Sequence, residues 1–568
     1  MKDYFLDNTS FIIQFNRIPC NSEANILNSK PFQMILRRYI YEVKALGDKA
    51  NTWITKLSTK ELVALYKALL VFDYDEVHQS LDLLKDEAAR YAFYMFTEGL
   101  YDYWRKLERY GFFSRSRLDD DQNINQRLTE SNDHFSNLVL KLYRTVSQKI
   151  INKNYLLLRQ LPAGTQANLS LVSNPWTFDS PYTKLTDTRF VTSIVIRPPL
   201  MIYSKANTRT GLFTPVDENP LEKLELNKND FVVTAIKVGP YLTYAYIHHK
   251  FLKYAVTLGS LFELASFDEY KDKKPDLIYV YGISDNAYDG KYFYDEKNDI
   301  YSGYVSLDDK NDYFGYVKKM LLTLHNVKMI RENKLPIHGA MFRLTLKNGD
   351  TKNICIIGDS GAGKSETIES MRLVGSKLIN NIEIIYDDMG TFDMLGNEVI
   401  SYGTEIGAFV RLDDLDQGYA YKQIDRAVFL NPNKTNARVV LPASDYQFVM
   451  MKHKVDLLLY ANNYDEDHEG IKVYDNLDDV LEIFQKGERK AKGTTSEVGM
   501  TKTYFANPFG PVQHEKENQV LLEKYFKKLY DNQIPVGVIY TKLALDGFEQ
   551  KGPKLAAEEL IKFLTQKK

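Results

Sequence analysis

Cysteine is nearly absent: only Cys20 and Cys355 occur in 568 residues. A disulfide scaffold is thereby excluded, and a reducing cytoplasm is the default expectation. Long hydrophobic runs are also missing. Nowhere do about 18 apolar residues follow one another, so no spanning helix is expected and no membrane partner. The start, MKDYFLDNTSFIIQFNR, lacks the basic stretch plus apolar run of a signal peptide. Neither charge sign dominates, with 73 Lys and Arg against 75 Asp and Glu. That excludes a globally basic nucleic-acid binder. What remains is a chain of ordinary globular composition, 44% hydrophobic and 26% charged, long enough for three or four domain-sized units at about 100–200 residues each.

The texture changes along the chain. Residues 1–165 read as a mostly helical N-terminal region. Ser58 and Glu61 have capping-box spacing ahead of an apolar run. Residues 87–113 are apolar at helical spacing and rich in aromatics, which predicts a helix buried in a bundle. Residues 114–133 are polar and predict a loop or linker, and 134–161 predict one or two further helices. From about 180 onward, short β-branched and aromatic runs such as RFVTSIVI, DFVVTAIKV, YLTYAYI and DLIYVYGI predict strands. The expected class is α/β, with α+β lobes at 180–335 and 336–568.

The most informative segment is NICIIGDSGAGKSETIESMRLV, residues 353–374. Gly358, Gly363, Lys364 and Ser365 fit G-x-x-x-x-G-K-[ST] without a mismatch, after a predicted strand and before a predicted helix. The loop Gly358, Asp359, Ser360, Gly361, Ala362 and Gly363 would let phosphates approach the backbone. Its N–H groups and the helix start would then face the anion. Lys364 would reach the β/γ-phosphates of ATP, and the Ser365 hydroxyl would take a Mg²⁺ position. Asn348-Gly349, between two alternating apolar runs, predicts a hairpin, so the P-loop strand should pair antiparallel with the strand before it. An ordinary β-α-β nucleotide fold does not require that. Downstream, Asp387 and Asp388 end a predicted strand, where a carboxylate suits Mg²⁺ or its bound water. Arg438 stands at the start of another.

This hairpin-fed P-loop, the Ile337-His338-Gly339 before it and the Asp-Asp after it resemble two families. GDSGAGKSE (358–366) resembles the P-loop of HPr kinase/phosphorylase almost letter for letter. Over a wider stretch, roughly 180–555, the chain resembles ATP-type phosphoenolpyruvate carboxykinase. KKPDLIYVYGISDN (273–286), YFGYVKKMLLTLHNVKMIRENKLPIHG (313–339), the P-loop, TNARVVLP around Arg438 and KGERKAKGTTSEVGMTKTYFANPFGP (486–511) appear in the family's order. Residues 1–165 have no counterpart there and are a candidate surface for a protein partner.

The second resemblance implies a lyase-type kinase that converts oxaloacetate, a small carboxylate, and ATP to phosphoenolpyruvate, CO₂ and ADP. It implies that Lys319, His338 and Asp388 ligate Mn²⁺, and that Ser365 and waters held by Asp387 bind Mg²⁺. Lys364 and Arg438 would neutralise the transferring phosphoryl group, and Tyr313 would flank the substrate. Arg197 would bind the substrate carboxylate, with Arg209 as its rival. The family's Cys-Ser-Ala-Asn after the histidine is here Gly339-Ala340-Met341-Phe342. The first resemblance implies a hydroxyl kinase, with Asp387 or Asp388 as base for a serine or small-molecule acceptor. A nucleotide-binding scaffold without catalysis is the non-enzyme alternative.

Overall fold

In the computed structural model, residues 4–16, 20–46, 52–80, 86–115, 124–151, 161–174, 176, 178–412, 427–492 and 499–565 are described. The chain divides into two units. One comprises Met1–Ser173 and Val191–Arg197, the other Asn174–Phe190 and Pro198–Lys568. The change of texture near 165–185 falls at this division, whereas the second unit is not split at 335.

The first unit is helical but not only helical. Strands β1 (Tyr4–Leu6), β2 (Ser10–Gln14), β3 (Glu108–Arg115) and β4 (Ala167–Ser173) lie side by side in that order. Around them are α1 (Glu23–Asn28), α2 (Lys30–Ala45), α3 (Thr52–Lys56), α4 (Thr59–Val71), α5 (Tyr74–Ser80), α6 (Glu87–Lys106) and α7 (Ile124–Ile151). The capping box forms at α4: Ser58 N–H donates to Glu61 at 2.7 Å, and Glu61 N–H donates to Ser58 Oγ at 3.2 Å.

Two expectations need correction here. The helix expected over 87–113 stops at Lys106, because residues 108–112 pair in parallel with β2 and bury Tyr110 and Phe112. Strand pairing overrides helical spacing there. The polar segment 114–133 becomes helix from Ile124, with Leu128, Asn132 and Phe135 on its buried face. Asn132 passes as a loop residue in sequence. In the fold it is a core residue, because its side-chain oxygen accepts from Thr165 N–H at 2.7 Å and from Thr165 Oγ1 at 2.6 Å. Residues 152–160, expected as helix, lie outside the described residues.

The second unit is mixed α/β. One sheet runs Phe231–Val238, Tyr241–His248, Leu277–Ile283, Ile300–Ser306 and Lys291–Asp295. The helix Phe314–Arg331 packs on it and is buried on nearly every side. A second sheet has the 12-residue strand Leu335–Leu346 near its centre. That strand pairs antiparallel with Thr351–Ile357 across the Asn348-Gly349 turn, and the latter pairs in parallel with Leu457–Asn462. The P-loop strand is therefore hairpin-fed on one side and parallel on the other. A smaller sheet joins Gly407–Arg411, Arg438–Pro442, Val428–Leu430 and Leu200–Ile202.

Candidate active site

The turn from Ile357 to the helix Lys364–Val374 has the geometry of a phosphate cradle. Gly361 and Gly363 adopt φ of +79° and +96°, which L side chains rarely take. A Cβ on Gly363 would also lie 2.6 Å from Thr541 Oγ1. Lys364 is buried at the helix start, and its Nζ donates to the carbonyls of Gly358 at 2.7 Å and Asp359 at 3.2 Å. Ser365 Oγ donates to Asp387 Oδ1 at 2.9 Å, which joins the P-loop to the end of strand Ile379–Tyr386. Burial, with the neighbouring charge of Asp388, pushes the Asp387 carboxyl up to about 6. Asp359 turns away from the cradle and accepts from Arg489 Nε at 2.9 Å. Burial opposes its ionisation, but His338 and Arg489 outweigh that and hold it below the usual carboxylate range.

The adjoining group is built on Asp388. Lys318 Nζ lies 2.6 Å from Asp388 Oδ2 and 3.2 Å from Glu405 Oε1, with both side chains of the latter pair almost fully buried. Burial works against the Asp388 charge, yet Lys318 and His338 hold its carboxyl well below the usual range. Glu405, buried beside the same lysine, is pushed up to about 7. His338 Nε2 lies 3.1 Å from Asp388 Oδ1, and its Nδ1 lies 2.6 Å from the Ala506 carbonyl. A carbonyl can only accept, so Nδ1 carries a proton. The Nε2 atom faces the Asp388 carboxylate at hydrogen-bonding distance.

Lys319, one residue beyond Lys318 in the second turn of its helix, is brought down to about 8 by burial and by the charge of Arg209. Its amine can therefore lose its proton and act as a ligand. Among the described residues, no three His, Cys, Asp or Glu side chains are grouped to hold a metal. The set expected from sequence instead includes a lysine: Lys319, His338 and Asp388, of which His338 and Asp388 are in direct contact.

Two aromatic rings gather the remaining residues. Phe509 has Lys319 Nζ 4.6 Å from its centroid, Arg209 Cζ at 5.7 Å and the His338 ring at 6.0 Å. Phe409 has Lys318 Nζ at 5.4 Å, Arg438 Cζ at 5.5 Å and the Tyr313 ring at 6.5 Å. The Arg438 Nε is buried without a hydrogen-bond partner among the described residues, a donor left for a ligand. Arg197 lies in the first unit and pairs with Asp133. Of the two candidate arginines, Arg209 is the one beside Phe509.

The segments carrying Arg209 and Arg438 are clasped by asparagines. Asn431 Oδ1 accepts from Ser204 N–H at 2.6 Å, and its Nδ2 donates to Ala206 O and Asn207 Oδ1, both at 3.1 Å. Asn436 Nδ2 donates to Asn207 O at 2.9 Å. Asn431 and Asn436 both adopt positive φ, a conformation asparagine tolerates better than most residues. Asn431→Ala should cost about 1–3 kcal/mol by stranding the buried Ser204 N–H. Denaturant titration checks this.

Lys318, Glu405, Arg489, Phe409 and Asn431 were not singled out in the sequence. The strand Leu335–Leu346 fixes how the phosphate and metal sides meet, since Gly358 N–H donates to His338 O at 3.1 Å and Gly339 N–H to Asp388 O at 3.0 Å. No protein-family model and no curated protein matches the chain. No helix among the described residues is long and apolar enough to cross a membrane.

Proposed function

We propose that the chain is an ATP-dependent phosphotransferase of the carboxykinase kind, decarboxylating oxaloacetate and phosphorylating the resulting enolate. The observation that carries this reading is the joining of a P-loop, through Ser365 and Asp387, to the Lys319, His338 and Asp388 group. A kinase acting on a simple hydroxyl has no enolate to hold and no need of a lysine poised to lose its proton. We place the enzyme in the cytoplasm, with a small carboxylate as substrate and the first unit as the surface for any protein partner.

In this reading the loop N–H groups and Lys364 bind the β/γ-phosphates, and Ser365 and Asp387 hold Mg²⁺ directly and through water. Lys319, His338 and Asp388 would hold Mn²⁺, which supplies positive charge for the enolate oxygen when bound. Arg209 receives the substrate carboxylate in a forked, charge-assisted contact beside Phe509. Loss of CO₂ from oxaloacetate leaves its bonding pair on the enolate. The enolate oxygen attacks the γ-phosphorus, ADP leaves, and Lys364 and Arg438 balance the charge that spreads over the transferring group. Tyr313 closes one side of the substrate space and limits water.

The hydroxyl-kinase alternative keeps one specific support, the Asp387 carboxyl raised to about 6, which suits a general base. An assay with ATP, Mg²⁺ and Mn²⁺ on oxaloacetate, run beside ATP hydrolysis without acceptor, separates the readings. Phosphoenolpyruvate and CO₂ in equal amounts support the proposal. Turnover that ignores oxaloacetate overturns it.

Low Mn²⁺ added to saturating Mg²⁺ should raise the rate several-fold in the native enzyme and leave His338→Ala unmoved. A Mn²⁺ titration of both proteins checks this. Because Mg²⁺ needs an ionised Asp387, Mg²⁺-dependent nucleotide binding should weaken as pH falls through about 6. Binding isotherms across that range, with Asp387→Asn flat in comparison, check the sign.

A further inference from the structure

The first unit contains a cavity of about 510 Å³ that the nucleotide chemistry does not use. It opens among β2, α1, α2, α4, α6 and α7, and its wall is made of ring faces and aliphatic side chains. Phe11 meets Trp104 edge-on at 5.4 Å, Trp104 meets Phe135 at 6.2 Å, and Tyr101 stacks on Tyr143 at 3.8 Å. No Asp, Glu, Lys or Arg is among the described residues that line it.

The polar tips of the wall are already committed to the protein. Trp104 Nε1 donates to Ala163 O at 2.9 Å, Tyr101 OH to Leu161 O at 3.2 Å, and Tyr143 OH to the Glu98 carboxylate at 2.7 Å. Thr97 Oγ1 donates to Phe93 O at 2.9 Å, and Tyr66 OH lies 3.2 Å from the same Thr97 oxygen. What faces the interior is apolar surface. Neutral polar side chains also line it, among them Gln14, Ser29 and the exposed Asn16, which accepts from Ser114 N–H at 2.9 Å.

Native interiors are close-packed, and the penalty for an empty cavity grows with its volume. A volume in the range of about 300–1,000 Å³, walled by aromatics, is that of a ligand site. We propose that this cavity binds a neutral apolar small molecule, a hydrocarbon or aromatic body with at most one hydroxyl or carbonyl group at the Asn16 edge. An ionised ligand is disfavoured because no charged side chain among the described lining residues would pair with it.

The test uses the full-length protein and the uncharged dye N-phenyl-1-naphthylamine. Saturable binding of one dye per chain is expected, with blue-shifted emission and energy transfer from tryptophan. 1-Dodecanol should displace the dye at least about tenfold more effectively than dodecanoate, ionised at about pH 8. Filling the wall with Val139→Phe and Val146→Phe should weaken dye binding at least about tenfold and leave nucleotide turnover unchanged. No saturable binding, several dyes per chain, equal displacement by dodecanoate, or unchanged binding in the folded double variant would each overturn the proposal. If the double variant fails to fold by circular dichroism, the comparison of alcohol with carboxylate on the native protein decides.

Discussion

Lys364→Ala should lower phosphoryl transfer by about 10³-fold or more while leaving the fold in place. The lysine is buried at the N-terminus of the helix Lys364–Val374, and among the described residues its ammonium donates to the carbonyls of Gly358 and Asp359 in its own loop. Those two acceptors sit at the mouth of the cradle, so losing the ammonium costs about 1 kcal/mol of stability. The kinetic cost is larger, because a charge aimed at the developing phosphoryl charge in a dry site is worth several kcal/mol in the transition state. Nucleotide turnover and denaturant midpoints, measured on the same preparations, separate the two effects. Turnover equal to the native rate would remove Lys364 from the site.

Lys318→Met should be the most damaging single substitution for stability in this cluster, at about 3–5 kcal/mol. The methionine fills similar volume, so the loss is electrostatic. Asp388 and Glu405 would be left as neighbouring carboxyls without their shared cation. Asp388 would then lose the ammonium that keeps it ionised, and its carboxyl would rise toward protonation. Activity should fall with stability, since in the proposed reading a protonated Asp388 is a poor ligand for Mn²⁺. Adding Glu405→Gln should cost little further, because without Lys318 the Glu405 carboxyl is already neutral at neutral pH; additive losses in the double-mutant cycle would refute the coupling. Urea unfolding of the four proteins at neutral pH gives the answer.

How much of this was legible in sequence follows from distance along the chain. The P-loop was legible because a phosphate cradle is local: glycines, a lysine and a serine within eight residues specify its turn and its helix start. The Asn348-Gly349 hairpin was legible for the same reason. Asp388 was singled out by its place at a strand end, and His338, Lys319 and Arg438 by family resemblance; contacts to Phe409 and Phe509 lie far apart in sequence and were not legible. Nothing in the sequence separates Arg209 from Arg197. Glu405 was hidden because only the approach of Lys318 gives it meaning, across 87 residues (405 minus 318). The misread stretches 107–113 and 124–133 show the same limit. Aromatics at helical spacing were recruited into β3 by β2 and β4, and a polar Asn132 entered the core by pairing with Thr165.

The strand that carries His338 is bonded through its backbone to the P-loop at Gly358 and to the metal side at Asp388. In the proposed reading, phosphate cradle and metal ligands would thus share one chassis, and the gap between them would be set by that strand's register rather than by a hinge.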